Sequence, residues 1–297
     1  MKTCALLLLG FLTSSVASAA AEDAVYTKEL DAWRAQRVAE LTTPDGWLSL
    51  IGLHFLKDGD NTVGSAKDNA VVLAKGPAHL GKLSVAADGR VTVTLLADAD
   101  ARIDGKPVLA GELRWRDGER PSVVATGTVS FFVIERGGKK ALRVKDSASE
   151  RRTHFLGLDY FPTDPAWRIE AKWVEFDEPR SIPITNILGQ TEPAMVHGKA
   201  VFERDGQKFE LLPIDAGPGE PLFFVISDAT SGKETYAAAR FVFADAPVEG
   251  KVVLDFNRAQ NPPCAFTPFA TCPLPPKENR LTFAVNAGEK NYRGGHE

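Results

Sequence analysis

From about residue 80 onward, apolar and polar residues alternate along the chain with a period of two, which is the pattern of half-buried β-strands. The alternation is clearest in residues 91–95, 129–133 and 167–173. Turn-forming pairs separate these segments, and they are Asp88-Gly89, Asp104-Gly105, Asp117-Gly118, Gly137-Gly138, Asp205-Gly206 and Ser231-Gly232. Many short strands and one N-terminal helix therefore predict a mainly β fold, as an antiparallel sandwich or barrel.

The helical period of 3.6 residues is seen before the strands. It predicts a helix that begins near Thr27, which can act as its N-cap, and ends near Leu41, where the turn-forming residues 43–46 follow. The apolar side of this helix consists of Leu30, Trp33, Val38 and Leu41, and the other side is charged. We expect the helix to pack on the β structure through its apolar side.

Residues 1–19 have the organisation of a secretory signal peptide. Lys2 gives a basic start, residues 5–12 are apolar, and Ala17-Ser18-Ala19 is a small-x-small cleavage sequence. The apolar run is too short to span a membrane, and no later run reaches the length of about 18 apolar residues that a spanning helix needs. Cleavage after Ala19 would remove Cys4, and we expect a periplasmic or secreted protein without a membrane span.

Two cysteines, Cys264 and Cys272, remain after that cleavage. In an oxidising compartment, two cysteines so close in sequence are most simply a disulfide. A metal site would need further ligands nearby, and no histidine lies between Lys199 and Gly295. We therefore predict a Cys264–Cys272 disulfide that closes a proline-rich loop.

Composition and charge exclude several classes of protein. The 297 residues are 44% hydrophobic and 25% charged, which is typical of a globular protein. Basic residues number 35 and acidic residues 39, and this near-balance argues against a dedicated nucleic-acid binder. The chain has no nucleophile elbow, zinc-protease helix or phosphate-binding glycine loop, and no motif for a nucleotide, flavin, haem or metal, so we expect no cofactor.

A soft boundary near Gly118 divides the expected mature chain. We predict the helix and a β-sandwich in residues 20–118, and a C-terminal β domain with the disulfide loop in residues 119–297. The first part resembles forkhead-associated β-sandwiches in the order of residues 56–64, 77–79 and 103–108. That family binds phosphothreonine through an arginine after the glycine and a Ser-Arg pair before the histidine. Ser65 and Pro77-Ala78 stand at those positions, so the resemblance implies a similar shell without phosphopeptide binding, in which His79 fixes a loop.

Candidate ligand-binding residues concentrate in the C-terminal third. Arginine guanidinium groups grip carboxylates and phosphates in a fork, and Asn and Tyr side chains add polar contacts, so the predicted ligand is small and polar or anionic. The candidates are Arg143, Tyr236, Arg240, Asn257, Arg258, Asn261, Asn279 and Arg280. The alternative is that these side chains satisfy backbone groups that the prolines and turns of the loop leave unpaired.

Several motifs together resemble one family of bacterial exported proteins, the domain of unknown function 1684 family. The resemblance covers almost all of the expected mature chain and implies one unit, but it implies no activity. The motifs that carry it are Trp47–Leu53, Tyr160-Phe161-Pro162, Thr235-Tyr236 with Arg240, Asp255–Arg258, Asn261–Phe266, Cys272–Pro276 and Asn279–Leu281.

The sequence leaves three possible functions open. The first is a binding protein that uses the polar candidates in a C-terminal pocket. The second is a hydrolase, with Asp228 or Asp255 as acid–base group and His154 beside a pair of arginines. The third is a structural or interaction protein of the cell envelope, which would expose Phe266 and Phe269 of the loop.

Overall fold

A computed structural model describes residues 10–116, 118–214 and 220–294, and the side chains of residues 10–21 are not among the described ones. Residues 1–9 of the predicted signal peptide, Cys4 included, and Asp117 of one predicted turn lie outside the described residues. The helices are α1 (Gly10–Leu41) and α2 (Glu150–Thr153). The strands are β1 (Leu50–Phe55), β2 (Gly59–Gly64), β3 (Val71–Val72), β4 (Gly81–Val85), β5 (Val91–Leu95), β6 (Ala101–Ile103), β7 (Ala110–Glu112), β8 (Val124–Thr126), β9 (Val129–Arg136), β10 (Lys139–Asp146), β11 (Arg168–Thr185), β12 (Thr191–Arg204), β13 (Gln207–Leu211), β14 (Leu222–Ile226), β15 (Arg240–Ala244) and β16 (Lys251–Asp255).

The predicted mainly β, antiparallel fold is confirmed. Two five-stranded sheets, β1-β10-β9-β8-β6 and β3-β2-β4-β5-β7, face each other across one apolar core. Val91, Val93 and Leu95 of β5 are buried and alternate with exposed threonines, as the period of two predicts. Phe131 and Val133 enter the same core from the other sheet, so this part of the chain is a sandwich.

The sandwich continues past the boundary expected at residue 118. Strands β1 and β6 precede that residue and strands β8 to β10 follow it, yet all five belong to one sheet. The sandwich therefore extends from Leu50 to Asp146. The glycine-containing segment near Gly118 connects β7 of one sheet to β8 of the other, and a loop that changes sheets has the same turn residues as a loop between domains.

The C-terminal part contains a four-stranded sheet, β13-β12-β11-β16, and the pair β14-β15. A core of aromatic and aliphatic side chains, with Trp167, Phe202, Phe224 and Phe256 among them, lies between these strands. The predicted Asp205-Gly206 turn joins β12 to β13, with positive φ at both residues (51° and 71°) as a type I′ hairpin turn requires.

Helix α1 begins well before the expected start at Thr27. The Thr27 hydroxyl donates to the carbonyl of Asp23 inside the helix at 2.8 Å, so it is not an N-cap. The N-cap prediction is wrong because the alanine-rich residues before Thr27 also favour a helix. Leu30 and Leu41 are fully buried, and Leu41 packs with Phe266 of the proline-rich loop. In the described part of the chain, no helix combines the length and the apolarity that crossing a bilayer requires.

Candidate functional site

Asp255 ends β16 and is held by contacts from three directions. The Tyr26 hydroxyl of α1 donates to its two carboxylate oxygens at 2.8 and 3.0 Å. The backbone N–H of Asn257 donates to Oδ1 at 3.1 Å, and Arg258 Nε lies 3.3 Å from Oδ2. Burial and the neighbouring charge of Asp255 raise the pKa of Tyr26 well above its ordinary value, so its hydroxyl remains a donor.

Asn257 joins this cluster to the loop that leads into β11. Its side-chain amide donates to Tyr26 Oη and to the carbonyl of Asp164, each at 2.9 Å. Its Oδ1 accepts from the backbone N–H of Asp164 at 3.2 Å. The side chain is fully buried, and these contacts use its donors and acceptor within the protein. Asn257 is therefore a positioning residue for Tyr26 and Asp255.

A groove of about 910 Å³ opens beside this cluster, between α1 and the last strands. Asp255 and Arg258 line its wall, together with residues of α1, β11, β15 and β16. A second groove of about 560 Å³ lies along α1 at Tyr26, and Glu29 and Arg168 line both. The two grooves therefore follow one side of the N-terminal helix.

The sequence predicts a small polar or anionic ligand, and the charge of the larger groove suits only the polar part of that expectation. Acidic residues outnumber basic ones in its lining, so the groove favours a cationic or neutral polar group. The apolar part of its wall includes the half-buried Trp33, Phe243 (48% exposed) and Val248 (70% exposed). The acids are Glu29, Glu40, Glu170, Asp245, Glu249 and Asp255, and the bases are Arg168, Lys251 and Arg258.

Arg240 and Asp228 form a buried ion pair away from the groove. Arg240 Nη2 lies 2.7 Å from Asp228 Oδ2, and the guanidinium also donates to the carbonyls of Val285 and Ala287. The other carboxylate oxygen of Asp228 accepts from the backbone and hydroxyl of Thr230 and from the backbone of Val285. Both side chains are almost completely buried, so their contacts serve the fold and are not directed at a ligand.

Four more of the predicted binding residues form hydrogen bonds with backbone groups of the protein. Asn279 exchanges hydrogen bonds with both backbone groups of Leu212 and donates to the carbonyl of Val225. The other three donate to carbonyl oxygens, Asn261 to Lys290 at 2.7 Å, Tyr236 to Cys264 at 3.1 Å and Arg280 to Pro275 at 3.4 Å. All four side chains contact backbone groups, as the bracing alternative expects, but only the partners of Tyr236 and Arg280 belong to the proline-rich stretch. None of the four residues lines the grooves.

The cysteines lie together at the base of the loop as free, buried thiols. The backbone N–H of each cysteine donates to the sulfur of the other, at 3.2 Å from Cys264 and 3.3 Å from Cys272. The disulfide stays a prediction, which this close approach of the two residues supports. Arg143 of β10 lies close enough to affect both thiols electrostatically.

His154 and the loop phenylalanines do not form a site. His154 is exposed at the end of α2, and its Nδ1 contacts the neighbouring Thr153 hydroxyl at 3.2 Å. It lines neither groove, so the structure does not bring it together with Asp255. Phe266 is buried, so the expected exposure of both loop rings is wrong for this one, while Phe269 is half-buried. Within the described ranges, no group of three His, Cys, Asp or Glu side chains is arranged to hold a metal ion.

Glu289 is a buried carboxylate that the sequence reasoning missed. Arg37 Nε lies 3.0 Å from its Oε1, and the backbone N–H of Asn261 donates to its Oε2 at 2.7 Å. Burial raises the pKa of Glu289, and the Arg37 charge opposes that rise. One sequence feature could have indicated that Arg37 needs a buried partner. Trp33, Arg37 and Leu41 are spaced four residues apart, which places Arg37 on the inward side of α1.

Comparisons with known proteins assign residues 153–290 to a family. They match the family model described as a protein of unknown function, DUF1684. No curated protein matches the chain. Among solved structures, the chain is similar to an uncharacterized protein of Haloarcula marismortui determined in solution, with 31% sequence identity and a TM-score of 0.41. That match covers 48% of this chain and 81% of the archaeal protein.

Proposed function

Residues 153–290 belong to the DUF1684 family, a family of unknown function, and from the grooves along α1 we propose that the protein binds a small polar ligand there. The observation that carries the proposal is the Asp255–Arg258 pair, which offers a hydrogen-bond acceptor and a donor at the wall of the larger groove. Tyr26 and Asn257 hold Asp255 in position, so the acceptor is oriented before the ligand arrives.

The lining defines the class of ligand. Its excess of carboxylates favours a ligand with an ammonium group or several hydroxyl groups, because both can donate hydrogen bonds to carboxylate oxygens. Trp33 and Phe243 provide aromatic surface on which the apolar faces of such a ligand can lie. The contacts of Asp228 and Asp255 within the protein favour this function over hydrolysis.

A thermal-shift and calorimetry screen tests the proposal. The probes are spermidine as a polyamine, sucrose as a polyol and citrate as an anion. We expect a probe of the first two classes to stabilise the protein saturably, because a ligand that binds the folded state raises its melting temperature. If no polyamine or polyol stabilises the protein at a saturating dose, or if citrate alone does so, the proposal is wrong.

A pair of charge reversals locates the binding. Glu29→Lys changes one of the two residues that line both grooves, and we expect it to weaken binding by about tenfold or more. The control is Glu119→Lys, which makes the same charge change. Glu119 is an exposed loop residue of the sandwich that lines neither groove. An equal effect of the two reversals would place the binding elsewhere or attribute it to net charge alone.

We further propose that the protein is exported after cleavage behind Ala19 and then carries the Cys264–Cys272 disulfide. The basic start, apolar run and small-residue site of residues 1–19 support export. The mutual N–H to sulfur contacts support the disulfide. N-terminal sequencing of protein recovered from the periplasm tests the first proposal, and an intact N-terminus at Met1 would refute it.

The forkhead-associated resemblance of the N-terminal part also stays a proposal. Gly64 supports it locally, because a Cβ at this position would lie 2.2 Å from the carbonyl oxygen of Ala78. Only glycine therefore allows the loop that contains Ala78 and His79 to approach β2 so closely. The His79 ring is half-exposed and lies 3.9 Å from Asp68, which is consistent with the loop-fixing role that the resemblance implies.

A further inference from the structure

Arg143 is a buried arginine to which the described residues offer neither a hydrogen-bond acceptor nor a counter-ion. It lies in the middle of β10, opposite Leu53 of β1 and Phe132 of β9, and is only 8% exposed. Within the described residues its guanidinium donates no hydrogen bond and forms no ion pair, and its Nε is fully shielded from solvent. The face of the Trp47 ring lies 5.2 Å from the guanidinium carbon. A buried charge in this state is costly unless something neutralises it.

The carboxylates that the structure describes on the strands beside Arg143 are paired with other residues. The neighbouring loop, residues 259–276, has no Asp or Glu in its sequence. On the adjoining strands, Glu135 is paired with Lys140 and Asp146 with Lys75. The charge of Arg143 acts on the two thiols of the loop and on Lys145 of its own strand. The fold therefore places this guanidinium against a segment that cannot neutralise it with a carboxylate.

Two more arginines contact the same loop. Arg136 Nε donates to the Thr271 hydroxyl at 3.0 Å, and the Arg151 guanidinium lies over the Phe269 ring at 5.7 Å. The charge of Arg136 and, above all, burial lower the pKa of Arg143 to about 10, so Arg143 remains charged at neutral pH. The interface between the sandwich and residues 259–276, here called the seam, is therefore a region of positive charge.

We propose that Arg143 is the centre of a binding site for a small oxyanion, a carboxylate, phosphate or sulfate group, at this seam. A guanidinium offers a planar fork of donors that matches two oxygens of such a group. Trp47 is 37% exposed and its ring lies against the guanidinium, so the ring can provide an apolar wall for the body of the ligand. This site is separate from the acidic grooves along α1, and its charge suits the opposite kind of ligand.

Isothermal titration calorimetry of the full chain tests the proposal. The probes are inorganic phosphate, sulfate and acetate, each compared with sodium chloride at equal ionic strength. The variant Arg143→Met removes the guanidinium, and Arg120→Met removes an exposed arginine of a sandwich loop as the matched control. We expect at least one oxyanion to bind the wild type, with a dissociation constant about tenfold or more higher in Arg143→Met and unchanged in Arg120→Met.

The unliganded variants give an independent measurement. Because Arg143→Met removes an unpaired buried charge, we expect its melting temperature without anions to equal or exceed that of the wild type. Arg143→Lys keeps the charge but loses the fork, so we expect weaker oxyanion binding than in the wild type, and this variant serves if Arg143→Met does not fold. Oxyanion binding that is absent from the wild type, unchanged in the Arg143 variants, or equally reduced in Arg120→Met would overturn the proposal.

Discussion

The Tyr26 hydroxyl donates to the carboxylate of Asp255, a residue 229 positions further along the chain. The first helix is thereby joined to the end of the last strand, next to the turn that holds Asn257. Two further side chains of α1, Arg34 and Arg37, make polar contacts with the same part of the protein. Helix α1 is therefore an integral part of the wall of the candidate site.

Tyr26→Phe removes this hydrogen bond and the one that the hydroxyl accepts from Asn257, and it keeps the ring. We expect it to lower the free energy of unfolding by about 1–2 kcal/mol, because the acceptor is a charged carboxylate at a partly buried position. Urea unfolding at neutral pH measures the change. Tyr292→Phe is the control, since in the described part of the chain the Tyr292 hydroxyl only accepts a long hydrogen bond of 3.4 Å from the backbone N–H of Leu156. Equal losses in the two variants would contradict the expectation.

Arg37→Met leaves the carboxylate of Glu289 buried without its counter-charge. Breaking such a pair on one side costs about 3–5 kcal/mol of stability. Arg34→Met, one turn earlier on α1, loses a hydrogen bond to Thr163 and a partly exposed ion pair with Asp31, so we expect a loss of about 1–2 kcal/mol. Chemical denaturation of both variants gives the comparison, and a similar loss in each would show that Glu289 does not depend on Arg37.

The raised pKa of Glu289 predicts a specific dependence of stability on pH. Above the ordinary pKa of 4.5 the folded protein holds this proton more tightly than the unfolded chain does. The contribution of Glu289 to stability is therefore fully present below that value and is lost as pH rises through the raised folded-state pKa. Unfolding free energies of the wild type and Glu289→Gln are measured from pH 4 to pH 8. We expect the wild type to lose stability relative to the variant across this range, whereas parallel curves would refute the assignment.

Asp228→Asn tests the conclusion that this carboxylate is structural. The substitution leaves Arg240 buried without an opposite charge, and we expect it to cost about 3–5 kcal/mol. His154→Gln changes an exposed side chain, so its effect on unfolding should stay below about 0.5 kcal/mol. Thermal and urea unfolding distinguish the two variants. An Asp228→Asn protein as stable as the wild type would reopen a functional role for Asp228.

The disulfide gives a prediction about oxidised and reduced protein. A bridge that closes a loop of this length stabilises the folded state by about 2–3 kcal/mol, mainly by restricting the unfolded chain. We expect a reducing agent to lower the stability of exported wild type by this amount and to leave the double variant Cys264→Ser, Cys272→Ser unaffected. Alkylation without prior reduction provides the check, since labelling of both cysteines in periplasmic material would exclude the bridge.

The local pattern of the sequence determined the class of the fold. Alternation with a period of two depends on which face of a strand is buried, and in β5 it matches the buried positions of Val91, Val93 and Leu95. The Asp205-Gly206 hairpin followed from the positive φ that its turn type requires. The inward side of α1 was likewise readable, through the buried Leu30 and Leu41.

Only the tertiary structure decided what the polar residues do. Arg240, Asn279 and Arg143 are equally plausible ligand-binding residues in the sequence, yet the first two donate several internal hydrogen bonds, whereas the guanidinium of the third donates none to the described residues and lies over the Trp47 ring. The difference lies in partners that the fold brings from distant positions, as Arg37 meets Glu289 across 252 residues. Periodicity records whether a side chain faces inward, because that is a local property of the backbone. It carries no information on which charge or carbonyl lies opposite, since that depends on how the elements pack together.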